Sequence, residues 1–167
     1  MENKNSSQEK LSAELALANQ QISELEASLK LYAEEIGSLK ASEEKYRQIV
    51  QNANSIVLLM DTNGDVTFFN QFAQRFFGFY EKEILGKNVI GTIVSEKDLS
   101  GKDLALMIRD IVRNPECHSV NENENLRNNG ERVRILWTNK AIIDDNGFIK
   151  EILCIGNEVT KIIQRKI

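Results

Sequence analysis

The sequence predicts an α+β domain carried behind one long helix, and three observations predict it. An apolar seven-residue repeat runs from Leu11 to Tyr46 without a proline. Two strand-forming runs then flank an Asn-Gly turn and give way to a helical pattern at Asn70. The last third alternates with a period of two and is broken by two further turn signals. Helices inserted between a first pair of strands and a last group of three, with hairpins at the joints, describe a five-stranded antiparallel sheet with its helices on one face.

The repeat places Leu15, Ile22, Leu29 and Ile36 in one set and Leu11, Ala18, Leu25, Tyr32, Leu39 and Tyr46 in the other. The sets alternate three and four apart, the a/d pattern of a coiled coil. At about 1.5 Å per residue the segment spans roughly 50 Å. Its apolar stripe is too narrow for a helix buried on several sides, so a second copy of the chain is the expected partner, through Leu15, Ile22, Leu25, Leu29, Tyr32, Ile36 and Leu39. The alternative is a helix packed on its own domain. The repeat weakens at Glu43, which takes an a position, and residues 1–10 read as a frayed end.

Residues 42–54 continue this helix or form a short one of their own. The stretch from Ser55 to Gly86 then reads as strand, turn, strand, capped helix and a second short helix ending in glycine. Ile56 to Met60 is an apolar run, Thr67 to Phe69 favours strand, and Asn63-Gly64 between them predicts a hairpin with positive φ at both central positions. Asn70 is placed to cap the next helix and Gly78 to stop it. Phe68, Phe69, Phe72, Phe76 and Phe77 read as core. Residues 87–98 have no period. Ser100 and Asp103 have capping-box spacing ahead of a helix bearing Leu104, Met107, Ile108, Ile111 and Val112, which Asn114-Pro115 ends. Asn129-Gly130 and Asn146-Gly147 mark two more hairpins.

The net charge of −4 gives no basic footprint for nucleic acid, and no apolar run is long enough to span a membrane. The polar N-terminus is unlike a signal peptide, and Cys117 and Cys154 are too few for a disulfide framework, so a reducing, cytoplasmic setting is expected. There is no phosphate-binding glycine loop, no nucleophile elbow and no zinc-protease motif, so the segment reads as non-catalytic. His118, the single histidine, reads as a polar residue at a helix-to-strand junction; it lacks both the c-type haem signature and a set of partner ligands for zinc. Cys154 reads as a small core residue.

The order Asp61-x-x-Gly64-x-Val66, Asn70, Phe77-Gly78, Glu83-Ile84-Leu85-Gly86, Asn129-Gly130-Glu131, Trp137-Thr138-Asn139, Asp145-x-Gly147 and Gly156-x-Glu158-Val159-Thr160 resembles a PAS domain over about residues 43–160. The resemblance implies domains at 1–10 (frayed), 11–46 (coiled coil), 47–160 (PAS) and 161–167 (start of an output helix). Together with the coiled coil, it is similar to the input region of a sensor histidine kinase. It implies a pocket between sheet and helices that holds a small molecule or cofactor. With the strand alternation it assigns Leu58, Met60, Ile135, Trp137, Asn139, Ile152 and Cys154 to the pocket, with Met107 and Ile111 from the helix side. It assigns signal relay to Glu158 and Thr160, with glutamate where the family usually has aspartate. In flavin-binding light sensors the reactive cysteine would fall at Val89, which argues against flavin–thiol adduct chemistry. The ligand itself is left unknown. The expected partners are a second copy, a small molecule and an output domain. A ligand-free scaffold and the regulatory half of a transcription factor are the alternatives.

Overall fold

The structure, a computed structural model, describes residues 2–159, with side chains from Gln8 onward. Its contacts divide the chain after Arg47 into two units. Helix α1 (Glu2–Gln51) is one uninterrupted helix. In the first unit Leu15, Ile22, Leu25, Leu29, Tyr32, Ile36 and Leu39 are all more than half exposed. The apolar stripe is therefore bare along its length.

The second unit contains β1 (Ile56–Asp61), β2 (Val66–Phe69), α2 (Gln71–Phe77), α3 (Glu81–Ile84), α4 (Leu104–Arg113), β3 (Val120–Leu126), β4 (Arg132–Ile143) and β5 (Ile149–Glu158). The strands form a single antiparallel sheet in the order β2-β1-β5-β4-β3. Strand β4 keeps a strict alternation, with Val133, Ile135, Trp137 and Asn139 buried between exposed neighbours. The same inner face carries Leu58, Met60, Ile152 and Cys154, and against it pack Ala73 and Phe77 of α2, Ile84 of α3, and Leu104 and Ile111 of α4. Phe69 and Phe77 are fully buried, with Phe72 and Phe76 partly so. Phe68 lies outside this cluster, because consecutive strand residues point to opposite faces.

Asn70 caps α2 as its position suggested, its side chain accepting from Ala73 N–H, and Gly78 ends the helix at φ 76°. The turns differ from expectation. Among the described residues only glycines have positive φ. Each Asn-Gly turn instead places a single left-handed glycine, Gly64, Gly130 or Gly147, fourth in a five-residue loop closed by two backbone bonds. An aspartate braces two of them: Asp61 Oδ1 accepts from the N–H groups of Asn63 and Asp65 at 2.8 and 2.9 Å, and Asp144 Oδ1 does the same for Asn146 and Phe148; the third opens on Arg127, and Asn129 Oδ1 accepts from Glu131 N–H. Asp98-Leu99-Ser100-Gly101-Lys102 adopts the same loop, and this overrides the capping box expected at Ser100. The Ser100 hydroxyl donates backwards to Asp98 Oδ1 at 2.6 Å, and Asp103 itself caps α4.

These loop carboxylates link stability to pH. Partial burial pushes the Asp61 carboxyl up, but the N–H donors of Asp65, Asn63 and Gly64 with the Asn63 amide outweigh it and hold it below the ordinary value. Asp98 is also held low, chiefly by the Ser100 hydroxyl. A carboxylate with a depressed folded pKa contributes stability above its unfolded value and loses it as pH falls through the folded one. The melting temperature is therefore expected to fall below about pH 4, and Asp61→Asn with Asp98→Asn to flatten that limb. Parallel melting curves from pH 7 to pH 3 for the double variant and the parent protein would contradict the assignment.

Candidate ligand cavity and its connection to the end of the sheet

The segment without a period, residues 87–98, forms one side of the cavity. It is tied down locally rather than by regular structure. Val66 and Val89 N–H donate to Lys87 and Gly64 carbonyls, and the Asn88 side chain donates to Asn63 O and Asp65 Oδ1. This turns Val89, Ile93 and Val94 inward, each nearly fully buried.

Between this segment, α4 and the sheet lies a cavity lined by Leu58, Met60, Val89, Ile93, Val94, Ile108, Ile111, Asn121, Asn123, Trp137, Asn139 and Cys154. Of the residues assigned from sequence, Leu58, Met60, Ile111, Trp137, Asn139 and Cys154 stand on its wall. Ile135 and Ile152 are fully buried in the core without lining it, and Met107 lines a surface groove beside α4. The free space is about 30 Å³, room for roughly two waters at about 10–15 Å³ each. Val89 puts an isopropyl group on the wall at the position compared with the light sensors' cysteine. Desolvation pushes the buried Cys154 thiol up to about 12, so it stays protonated and inert.

The polar edge of the cavity comes from β3 and β4. Asn139 donates both amide protons, to His118 O at 2.8 Å and to Asn121 Oδ1 at 2.6 Å. Asn121 donates in turn to Asn123 Oδ1 at 3.1 Å. The neighbouring Trp137 Nε1 donates to Asn125 Oδ1 at 3.1 Å, and Asn125 donates to Ile93 O. The sequence reading missed Asn121 and Asn123. Their signal was the run Asn-Glu-Asn-Glu-Asn from 121 to 125, which alternates amide with carboxylate and so hides from a hydrophobic pattern.

Trp137 also touches the last strand. A Cβ on Gly156 would lie 2.7 and 2.8 Å from the indole carbons Cζ3 and Cε3, so the ring rests on bare β5 backbone. Two residues on, Glu158 Oε2 lies 3.5 Å from the Arg127 guanidinium, which also meets Glu131 at 2.7 Å and sits 4.2 Å over the Phe76 ring. Thr160, the second expected relay residue, lies outside the described residues. His118 sits between α4 and β3 with Nε2 2.6 Å from Asp110 Oδ2; hydrogen bonding to His118 outweighs desolvation and keeps the Asp110 carboxyl low. Among the described residues no group of three or more His, Cys, Asp or Glu side chains gathers to hold a metal, and no helix is long and apolar enough to cross a membrane.

A profile of the PAS fold matches residues 44–159. The chain belongs to the PAS fold family. Solved structures agree on the fold. The PAS domain of an HTR-like protein from Haloarcula marismortui superimposes with a TM-score of 0.59 at 14% identity, covering 75% of this chain and 98% of that one. The light-oxygen-voltage protein of Rhodobacter sphaeroides gives 0.55 at 18% identity over 71% of this chain and 67% of that one. The PAS domain of the Cronobacter turicensis quorum-sensing receptor RpfR, solved in complex with C12:0, gives 0.50 at 22% identity over 66% and 99%. No curated protein matches the chain. As a PAS domain the second unit falls in a sensory and regulatory family, and its cavity lies between the sheet and the helices.

Proposed function

We propose that this chain is the input module of a cytoplasmic signalling protein, a sensor kinase of a two-component system in particular. In this reading α1 holds two copies side by side, a small molecule enters the PAS cavity, and the change reaches an output domain through the end of β5. The observation that carries it is the cavity itself, an apolar chamber with one polar edge, the usual make-up of a small-molecule site. The contact of Trp137 with Gly156 supports the relay, since an indole displaced at the cavity wall presses on β5 two residues before the Glu158–Arg127 pair. The C12:0 complex of the RpfR domain supports a small-molecule signal.

The modest free space favours a second reading, a ligand-free dimerisation scaffold. Native mass spectrometry of the gently purified chain, with an absorbance scan, separates the two. A bound species that leaves on denaturation, and whose removal changes the emission of the single tryptophan, supports sensing. A chain that carries nothing, and whose Trp137 emission is unmoved by cell extract metabolites, supports the scaffold.

A further inference from the structure

We propose that the cavity selects an uncharged molecule whose head group both donates and accepts hydrogen bonds, of the primary-amide class, and rejects the matching ionised carboxylate. This deepens the ligand-binding reading above and rests on it. Three features of the wall carry it.

First, none of the twelve lining residues bears a charge at neutral pH. A buried ion without a counter-charge or a full set of donors is costly, so the wall discriminates against ionised ligands. Second, the polar edge is amide on every side. Asn139 is fixed in orientation because both its protons already reach oxygen acceptors, His118 O and Asn121 Oδ1; turned over, it would set oxygen against oxygen. Its carbonyl oxygen is then the group left to receive a donor. Asn123 uses one proton on Glu124 O, which leaves its second as a donor. An edge with one acceptor and one donor matches a primary amide in both places. A carboxylate can only accept, and its oxygen would face the Asn139 carbonyl. Third, the remaining wall is hydrocarbon from Leu58, Met60, Val89, Ile93, Ile108 and Ile111, so the body behind the head group is apolar. With room for roughly two waters, the space takes the head group, and carbons behind it must displace side chains of the wall, so the smallest member of a series is expected to bind best.

The test uses the full chain and matched short series, acetamide, propionamide and butyramide against acetate, propionate and butyrate at pH 7.5 and equal ionic strength. Melting temperature and Trp137 emission are read together. The amides are expected to raise the melting temperature and shift the emission, each at least tenfold tighter than its carboxylate. Asn139→Leu should bring that ratio towards one. If that variant fails to fold, Asn123→Val, which removes the donor along with the oxygen that accepts from Asn121, should narrow the ratio instead. A carboxylate binding as tightly as its amide overturns the selectivity while leaving ligand binding in place. No response to either series overturns the amide-class assignment, while the ligand-binding reading itself stands or falls on the native mass spectrum.

Discussion

Asn70→Ala is expected to cost the PAS domain about 4 kcal/mol, and to leave much of the chain unfolded at 37 °C. The side chain is fully buried and satisfied on both ends. Its Oδ1 accepts from Val57 N–H at 3.1 Å and Ala73 N–H at 2.9 Å; its Nδ2 donates to Val50 O and Ser55 O, both at 3.0 Å. One amide thus joins the end of α1, the start of β1 and the first turn of α2. Alanine leaves the buried Val57 and Ala73 donors without partners, at about 1–3 kcal/mol each; the second of these losses is the loss of the helix cap. Asn70→Asp separates the two ends of the side chain. It keeps the acceptor but turns a carboxylate oxygen towards two backbone carbonyls, and should also destabilise strongly. Urea denaturation of the three proteins measures this, and a loss under about 1 kcal/mol for alanine would refute the assigned role.

Ile22→Lys combined with Leu29→Lys is expected to convert a dimer into a monomer with the PAS domain still folded. Both residues occupy a positions, and both are more than half exposed on the single chain. Pairing through α1 would bury four such side chains, two per copy, at about 1.5–3 kcal/mol each, whereas lysine sets four ammonium groups in the seam. Charge pairing favours parallel helices, since Glu35 and Lys40 fall at the g and e positions that meet across a parallel coil. Leu17→Lys with Leu31→Lys is the control. These leucines are equally exposed and lie off the stripe, so the same added charge should leave the dimer intact. Light scattering decides it: an unchanged mass for the Ile22/Leu29 variant, or an equal loss in the control, would remove α1 as the interface.

The features that were legible in the sequence are those set within one element. Asn70 and Gly78 bracket α2 because a cap and a left-handed stop need only their own helix. The burial of Val133, Ile135, Trp137 and Asn139 follows from the pleat of a strand with one wet face. Features set by competition between neighbours were read wrongly or not at all. Ser100 has a capping residue's chemistry, but Asp98, two residues earlier, accepts from both its hydroxyl and its N–H. The Asn-Gly pairs suggest two-residue turns, but each closes a longer loop, which Asp61 and Asp144 brace in two cases and Asn129 in the third. The cavity wall at Val89, Ile93 and Val94 had no signal because that segment is held by bonds to the β1–β2 turn, and nothing regular repeats there. Ile135 and Ile152 have the right parity for the cavity, but parity chooses a face and not a depth.

The order β2-β1-β5-β4-β3 has a consequence for how such a domain can be used. Its first and last strands are neighbours, and they run in opposite directions, so Ile56, at the entry, pairs with Gly156, near the exit. Ser55 Oγ donates to Asn157 Oδ1 across the same doorway at 2.9 Å. A polypeptide that enters beside the place where it leaves can be spliced into a longer chain, or cut out of one, without rerouting the host. Domains with adjacent ends also tolerate new termini elsewhere, and the exposed loop at Asn129-Gly130 is the natural place to open this one. The sheet is thus a cassette as well as a scaffold.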